Sequence, residues 1–529
     1  MRKYITASAI FLLIFGWSLA PAQESDMLSI SAQRRISSDL DSGAYIIVNE
    51  ILHWKPEETA IIVCDMWDQH WCRSATKRVN ELAPVINKVV KIARDKGVLI
   101  VHSPSDVVDY YDDTPQRNLG KKYLDRKLSD LLSNDKLDSE MQAVWPIDQS
   151  DEGCDCKEKC SVHYPWTRQH EAIEIMTVDA ISDSGEEIAG LFKKKGISNV
   201  ILMGVHVNMC VVNRSFGLRN MVRLGKNVVL MRDLTDAMYN PDMAPKVSHF
   251  TGNSLMFEYI ETYISPSIVS TDFTGEKQFR FKEDLRPLVA FVTAEGEYRA
   301  NQRLPEFAHE LLLRENVNCE FALGKPSMDG EGRHNIENLQ ILNDADLAVF
   351  FLRRRALEHD KMELIREYVK SGKPVMGIRT ASHAFDAGKP IPREGGAITL
   401  SDGSVSEVLD QWPEFDRDLL GGNYQGHYGP QEEGTKISVI PGMEGNLLLD
   451  GFHLEGFSSS GTLYRNRPLR SQQAQVLLMG TIPDQEPEPV FWINDNGKNK
   501  VIYTSLGHWD DWEEEGFRKL MSNSVRYLL

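Results

Sequence analysis

The sequence predicts an α/β protein made of two doubly wound domains, each a mostly parallel sheet with helices on both faces. Three observations lead there. From residue 59 onward, short and nearly continuous apolar runs alternate with longer amphipathic stretches, the pattern of strands buried on both faces and separated by helices. The rhythm lapses over residues 269–286, which are polar and aperiodic, and then restarts, as it would across a linker. At 529 residues the chain is also too long for one ordinary core. The expected boundaries are an export signal at 1–22, a first domain at 27–268, the linker at 269–286 and a second domain at 287–529.

In the first domain, residues 60–64 read as a buried strand and 84–96 as a helix, with Pro84 at its start, Val85, Val89 and Ile92 on one face, and Gly97 closing it. Residues 98–101 read as the second strand. A helix at 186–195 ends at Gly196, and 199–205 is the third strand. A helix at 211–224 ends at Gly225, and 227–231 is the fourth strand. The span 106–171 breaks this rhythm, as an elaborated active-site loop region would. In the second domain, strands are expected at 288–293, 317–323, 347–352, 374–378 and 500–505, with helices at 304–314, 362–370 and 514–528.

Arg2 and Lys3, the apolar run 9–19 and the small residues Ala20-Pro21-Ala22 have the form of a cleaved export signal. The run is shorter than the ~20 residues that span a bilayer. The expectation is therefore an exported protein, periplasmic or extracellular, with no membrane span after signal removal. Lys+Arg 59 against Asp+Glu 77 gives a net charge of −18, which disfavours nucleic acid as a partner. Without a Walker loop, a dinucleotide glycine fingerprint or a zinc finger, no cofactor is expected. A small-molecule substrate is the expected partner, and oligomerisation is left open.

Export gives the seven cysteines meaning, because oxidised pairs persist outside the cytoplasm. Cys64 and Cys319 lie in apolar strands and read as buried thiols. Cys154, Cys156 and Cys160 fall in DEGCDCKEKC. A disulfide is expected there, Cys154–Cys160, with Cys156 pairing with Cys72 or remaining free. A zinc site would lack a fourth ligand at standard spacing other than His163, so no metal is expected.

Ligands of open parallel sheets bind beyond the carboxyl ends of the strands. One such end carries Asp65 and Trp67; another runs from His206 through Asn208 to Cys210, where a helix is expected to begin. A cysteine at a helix start has its thiolate stabilised by unpaired N–H groups, and an aspartate from the neighbouring strand could take or hold the thiol proton. Read alone, Cys210 is as simply a small buried residue.

The segments AIIVCDMWD and GVHVNMCVVNRSFGLRNMVRLGKNVVLMRDLTDA resemble the isochorismatase-like cysteine hydrolases, which include nicotinamidases, over roughly residues 57–264. That family hydrolyses amides, or in some members vinyl ethers, with an Asp–Lys–Cys triad. The resemblance implies Asp65 as the aspartate and Cys210 as the nucleophile. It also implies that His206 follows a non-proline cis peptide, with its N–H and that of Cys210 forming an oxyanion hole. The family lysine would fall near Thr177, but residues 173–184 contain no lysine. Arg168 is the candidate cation, its alternative being a surface salt bridge. The segment from His102 to Asp106 lacks the Asp-x-His pattern of the nicotinamidase metal cluster.

The second domain resembles the ThuA-like (trehalose-utilisation) family, which has the class I glutamine amidotransferase-like fold, over about residues 287–529. The supporting segments include EGEY at 295–298, ADLAVFFLRRR at 345–355 and TSLGH at 504–508. The amidotransferase elbow is Gly-x-Cys-x-Gly, and Arg379 stands in place of its cysteine, which excludes glutamine hydrolysis by that route. The resemblance implies carbohydrate-related work. Glu297, Arg379, His383, His427 and His508 are the polar candidates for a cleft. Arg379 is expected partly exposed as a ligand anchor, the alternative being burial against an acidic neighbour. The leading expectation is an exported cysteine hydrolase acting on an amide-like small molecule, fused to a ThuA-like domain. A second reading is a carbohydrate-binding or sugar-modifying protein whose first domain is not catalytic, and a third makes both domains scaffolds of an exported complex.

Overall fold

The computed structural model describes residues 27–38, 44–327, 329–330, 332–453 and 457–529; the expected export signal lies outside the described residues. The first sheet is built from β1 (Leu28–Ser37), β2 (Tyr45–Trp54), β3 (Thr59–Cys64), β4 (Leu99–Ser103), β5 (Ala180–Ile181), β6 (Asn199–Val205), β7 (Asn227–Asp236) and β8 (Ser267–Ile268). They lie in the order β2-β1-β8-β7-β6-β3-β4-β5. From β8 to β5 every pairing is parallel, and β1 runs antiparallel to both β2 and β8. The helices are α1 (Arg73–Asp95), α2 (Pro115–Lys121), α3 (Gly185–Lys195), α4 (Leu218–Arg223), α5 (His249–Tyr263) and α6 (Thr271–Thr274). The continuous apolar run of β3 follows from its place at mid-sheet. Ala60, Ile62 and Cys64 enter the core on one face, and Ile61 and Val63 enter the core on the other.

Two expected helices differ from those observed. The helix expected at 84–96 begins eleven residues earlier, at Arg73, and carries Pro84 inside it. Ala75, Val79, Leu82 and Ala83 continue its buried face through Ile86, Val89 and Val90, and this burial outweighs a proline cost of about 3 kcal/mol. The helix expected at 211–224 is instead a single wide turn over Val207–Val211 followed by the short α4.

The second sheet comprises β9 (Leu288–Ala294), β10 (Asn318–Gly324), β11 (Ile336–Glu337), β12 (Leu347–Leu352), β13 (Val375–Ile378), β16 (Thr435–Val439), β17 (Ser458–Ser459), β18 (Ala474–Thr481), β19 (Glu488–Asp495) and β20 (Lys500–Thr504); β14 (Ile398–Thr399) and β15 (Val405–Ser406) form a separate ribbon. The order is β11-β10-β9-β12-β13-β20-β19-β18-β16-β17. Only β10-β9-β12-β13-β20 is parallel; the remaining pairings are antiparallel. The parallel part carries the expected doubly wound arrangement, and an antiparallel part extends it. Strands such as β16 bury alternate residues only, and a half-solvated antiparallel strand gives no continuous apolar run to read. The helices α7 (Ala300–Glu315) and α9 (Glu515–Leu528) cover one face and α8 (His359–Lys370) the other.

The segment expected as a linker is packed. Phe273 and Phe281 are buried in the first domain's core, and Phe281 stacks on Phe250 at 5.5 Å. The β1–β2 hairpin, which the sequence rhythm does not reveal, places Ile47 in the core of the second domain. Ion pairs Arg232–Glu320 (2.9 Å) and Glu258–His309 (2.6 Å) also join the two. Among the described residues, no helix is long and apolar enough to cross a membrane.

Candidate active site

Strands β3 and β6 are neighbours in register, with Cys64 opposite Gly204, so the residues that follow them emerge side by side at the carboxyl edge of the sheet. Asp65 turns off β3 with φ 46°, a left-handed conformation that Asp tolerates better than most residues and that often marks a functional position. The Val205–His206 peptide is cis, as the resemblance implies. The wide turn after it closes with Val211 N–H donating to the His206 carbonyl at 3.1 Å, and it raises Cys210 toward Asp65.

The Asp65 carboxylate is fully buried. Its Oδ1 accepts the Ser105 N–H at 2.8 Å, and its Oδ2 lies 3.3 Å from Arg214 Nε. The Cys210 thiol lies close enough to the same carboxylate for each to shift the other's titration. Arg214 reaches Asp106 at 3.3 Å with its other nitrogen. An Asp65–Cys210–Arg214 cluster results.

Its electrostatics correct one expectation. Burial, and then the charge of Asp65, push the Cys210 thiol well above its ordinary value, with Arg214 opposing. A helix-start thiolate was expected, but the turn holding Cys210 is only five residues long, and the adjacent carboxylate opposes a second negative charge. Burial also raises the Asp65 carboxyl, while Arg214 and the hydrogen bonds from Cys210 and Ser105 act against that rise. The resting sulfur is therefore a protonated thiol beside Asp65.

Arg168 does not join this cluster. Its half-exposed guanidinium pairs with Glu171 at 3.6 Å, the surface salt bridge named as its alternative, and Thr177 is exposed. Arg214 is the cation that sequence reading missed. It stands four residues after Cys210, and its N–H donates to the Cys210 carbonyl at 2.9 Å. A basic residue one helical turn beyond a suspected nucleophile was the available signal.

Trp67 is buried beside the pair, its indole N–H donating to the Ser105 carbonyl at 3.0 Å. It stacks on Trp166 at 4.5 Å, and Trp166 stacks on His70 at 5.7 Å. His70 meets the His206 ring edge-on at 4.9 Å. Burial, then His70, hold His206 well below the usual imidazole range, so its ring is neutral; its Nε2 has no hydrogen-bond partner among the described residues. Asn208 is not free to bind substrate. Its amide is used by Gln149 and by both backbone groups of Met238, bracing the turn against the segment after β7.

Beneath His206 lies a buried charge network. Val205 pairs with Asp236 of β7, and Asp236 accepts from Arg78 at 2.6 Å, His249 at 2.8 Å and Asn253 at 2.9 Å. Arg78 also meets Asp155 at 2.8 Å.

In the second domain Arg379 follows β13 with φ 44°, the left-handed geometry of an elbow. It is 1% exposed rather than partly exposed. The buried alternative is not met either, since no carboxylate pairs with it among the described residues. Instead the guanidinium donates to the Ser505 carbonyl at 2.6 Å and lies over the rings of Tyr298 (4.1 Å) and Tyr464 (4.8 Å). The expected neighbours do assemble around this floor. His508 meets Tyr298 at 5.7 Å, His383 stacks on Tyr424 at 4.5 Å, and His427 meets Tyr464 at 6.4 Å. Glu297 pairs with Arg353 and accepts from Tyr298 Oη. Burial and Arg379 hold His508 down to about 4. A cavity of about 750 Å³ opens between Arg353, His383, Tyr424, His427 and Arg465.

The α/β sheet with cysteine and aspartate at adjacent strand ends agrees with what family comparison finds: residues 59–245 match the family model described as Isochorismatase domain. The first domain is thus of the isochorismatase-like type. Among solved structures, the chain is similar to a cysteine hydrolase from Pseudomonas syringae pv. phaseolicola 1448A, at 18% identity over 42% of this chain and 92% of that one, with TM-score 0.27. A putative thua-like protein from Parabacteroides merdae ATCC 43184 is similar at 14% identity over 46% and 89%, with TM-score 0.30. An isochorismatase from Pseudomonas putida KT2440 is similar at 10% identity over 41% and 91%, with TM-score 0.26. No curated protein matches the chain.

Proposed function

We propose that the first domain is a cysteine hydrolase for a small amide-like substrate. The observation that carries this reading is the Cys210 thiol beside the buried Asp65 carboxylate, with Arg214 against the same carboxylate. Sulfur attacks the carbonyl carbon as the thiol proton passes to Asp65, so thiolate never has to accumulate beside a carboxylate. Charge growing on the carbonyl oxygen is met by Arg214 and by N–H groups at His206 and Cys210. Asp65 returns the proton to the leaving nitrogen, and water then cleaves the thioester, releasing acid and free thiol. The aromatic wall of Trp67 and Trp166 suits a flat or ring-bearing substrate.

The test is a panel of primary amides assayed for ammonia release, with wild type and Arg214 variants side by side. Arg214→Gln should lower kcat by about 10²-fold with a smaller change in KM, and Arg214→Lys should recover part of the loss because charge without the planar fork remains. Equal kcat in wild type and Arg214→Gln would remove arginine from the mechanism.

A second reading, carbohydrate recognition by the second domain, is favoured by the cavity beside His383, whose polar lining and stacked Tyr424 suit sugar hydroxyls and a sugar face. Acidic oligosaccharides should bind wild type in calorimetric titration and bind Arg465→Ala at least tenfold more weakly; no heat with any saccharide would end this reading. Export, read from residues 1–22, is proposed alongside and is checked by fractionating cells that express the full chain.

A further inference from the structure

The disulfides expected in DEGCDCKEKC are not formed: all seven cysteines are free. Four of them nevertheless converge. The sulfurs of Cys72, Cys154 and Cys156 lie within 4.8 Å of one another, and the Cys72 and Cys156 sulfurs are 3.7 Å apart. Cys160 packs against the same small cluster, outside the trio. Three sulfurs thus outline one face of a tetrahedron, with Cys160 next to it. A tetrathiolate with Zn–S bonds of about 2.3 Å has sulfur–sulfur edges of about 3.8 Å, the separation of Cys72 from Cys156.

The surroundings are built for electron-rich sulfur. Cys72 occupies the N-cap position of α1, and in the first turn the Ser74 N–H donates to the Cys156 sulfur at 3.3 Å. The Ser74 hydroxyl lies 3.1 Å from the Cys156 sulfur. Donors aimed at sulfur orient and stabilise thiolate ligands in metal sites. Apolar packing does not explain the group, since Cys156 and Cys160 are only half-buried. Cys72, already named as a partner for Cys156, brings its sulfur from far along the chain; His163 is exposed and hydrogen-bonds to the Ser161 carbonyl.

We propose that Cys72, Cys154, Cys156 and Cys160 bind one structural zinc ion with tetrahedral tetrathiolate geometry. All four positions are filled by protein, so the ion is closed to substrate and distinct from the Cys210 chemistry. It fastens the loop carrying Trp166 to the start of α1, next to the Arg78–Asp155 ion pair that joins the same two elements. The aromatic wall beside Asp65 would then owe its position to the metal.

Full-length protein purified without chelator should contain one zinc per chain by inductively coupled plasma mass spectrometry, and X-ray absorption should give four sulfur neighbours at about 2.3 Å. Cys72→Ser and Cys156→Ser should lose the metal, whereas Cys319→Ser should keep it. Should a ligand variant fail to fold, the wild-type absorption spectrum and a cobalt-exchanged sample showing tetrahedral thiolate bands still decide. Metal-free protein with the four thiols paired as disulfides or freely alkylated would overturn the proposal, as would resident iron or a coordination shell of nitrogen and oxygen.

Discussion

Asp65→Asn should make Cys210 react faster with iodoacetamide while removing turnover. After burial, the Asp65 charge is the largest cause holding the Cys210 thiol protonated, so a neutral amide there lets the thiol ionise at lower pH. Arg214 then stands beside the sulfur without its carboxylate and favours the thiolate further. Alkylation follows the thiolate fraction, so its pH profile should move to lower pH by one unit or more, a tenfold or greater gain at pH 7. Turnover should nonetheless fall by about 10²–10⁴-fold, because Asn cannot take the thiol proton or return it to the leaving nitrogen. Slower alkylation in Asp65→Asn would mean that the carboxylate activates the resting thiol, contrary to the geometry.

The other large effect is on stability. Arg78→Met should destabilise the first domain by about 3–5 kcal/mol, the cost of leaving buried charges without a partner, and lower its thermal midpoint by roughly 10 °C. Arg78 holds Asp155 and Asp236 together, and removing it leaves these two neighbouring carboxylates with His249 and Asn253 but without the arginine's charge. The Asp236 carboxyl is opposed by burial but is carried well below the carboxylate range by Arg78 and His249. A depressed carboxyl contributes stability that is complete above the unfolded value near pH 4 and is lost as pH falls through the folded one. Wild type should therefore lose this contribution only in strong acid, and Arg78→Met should begin to lose stability at higher pH. Unchanged melting curves at pH 7 would show that the network relaxes at no cost.

The fold was legible in the sequence where a strand is buried on both faces. The runs at β3, β6, β9 and β12 are buried throughout and nearly all apolar, and were located nearly residue for residue. It was illegible where only one face is covered, as in β16, or where an edge hairpin alternates, as in β1 and β2. In the site, Asp65 and Cys210 stood out because each follows a clear strand end. Arg214 was hidden behind a search for a lysine upstream, although its place one turn after Cys210 was visible. Arg379 was found from its elbow, but its burial between Tyr298 and Tyr464 depends on loops far apart in the chain. The thiol cluster was partly legible: three sulfurs are local, and Cys72, named as a partner for Cys156, joins them from far along the chain.

The central claim is that Cys210 forms a covalent acyl intermediate. The most direct measurement is rapid-quench intact mass spectrometry, with peptide mapping, on protein mixed with an amide it hydrolyses. The account predicts a transient mass increase equal to the acyl group, mapped to Cys210 and lost with turnover in Cys210→Ala. Hydrolysis that continues in Cys210→Ala, or turnover with no adduct on that peptide, would contradict it.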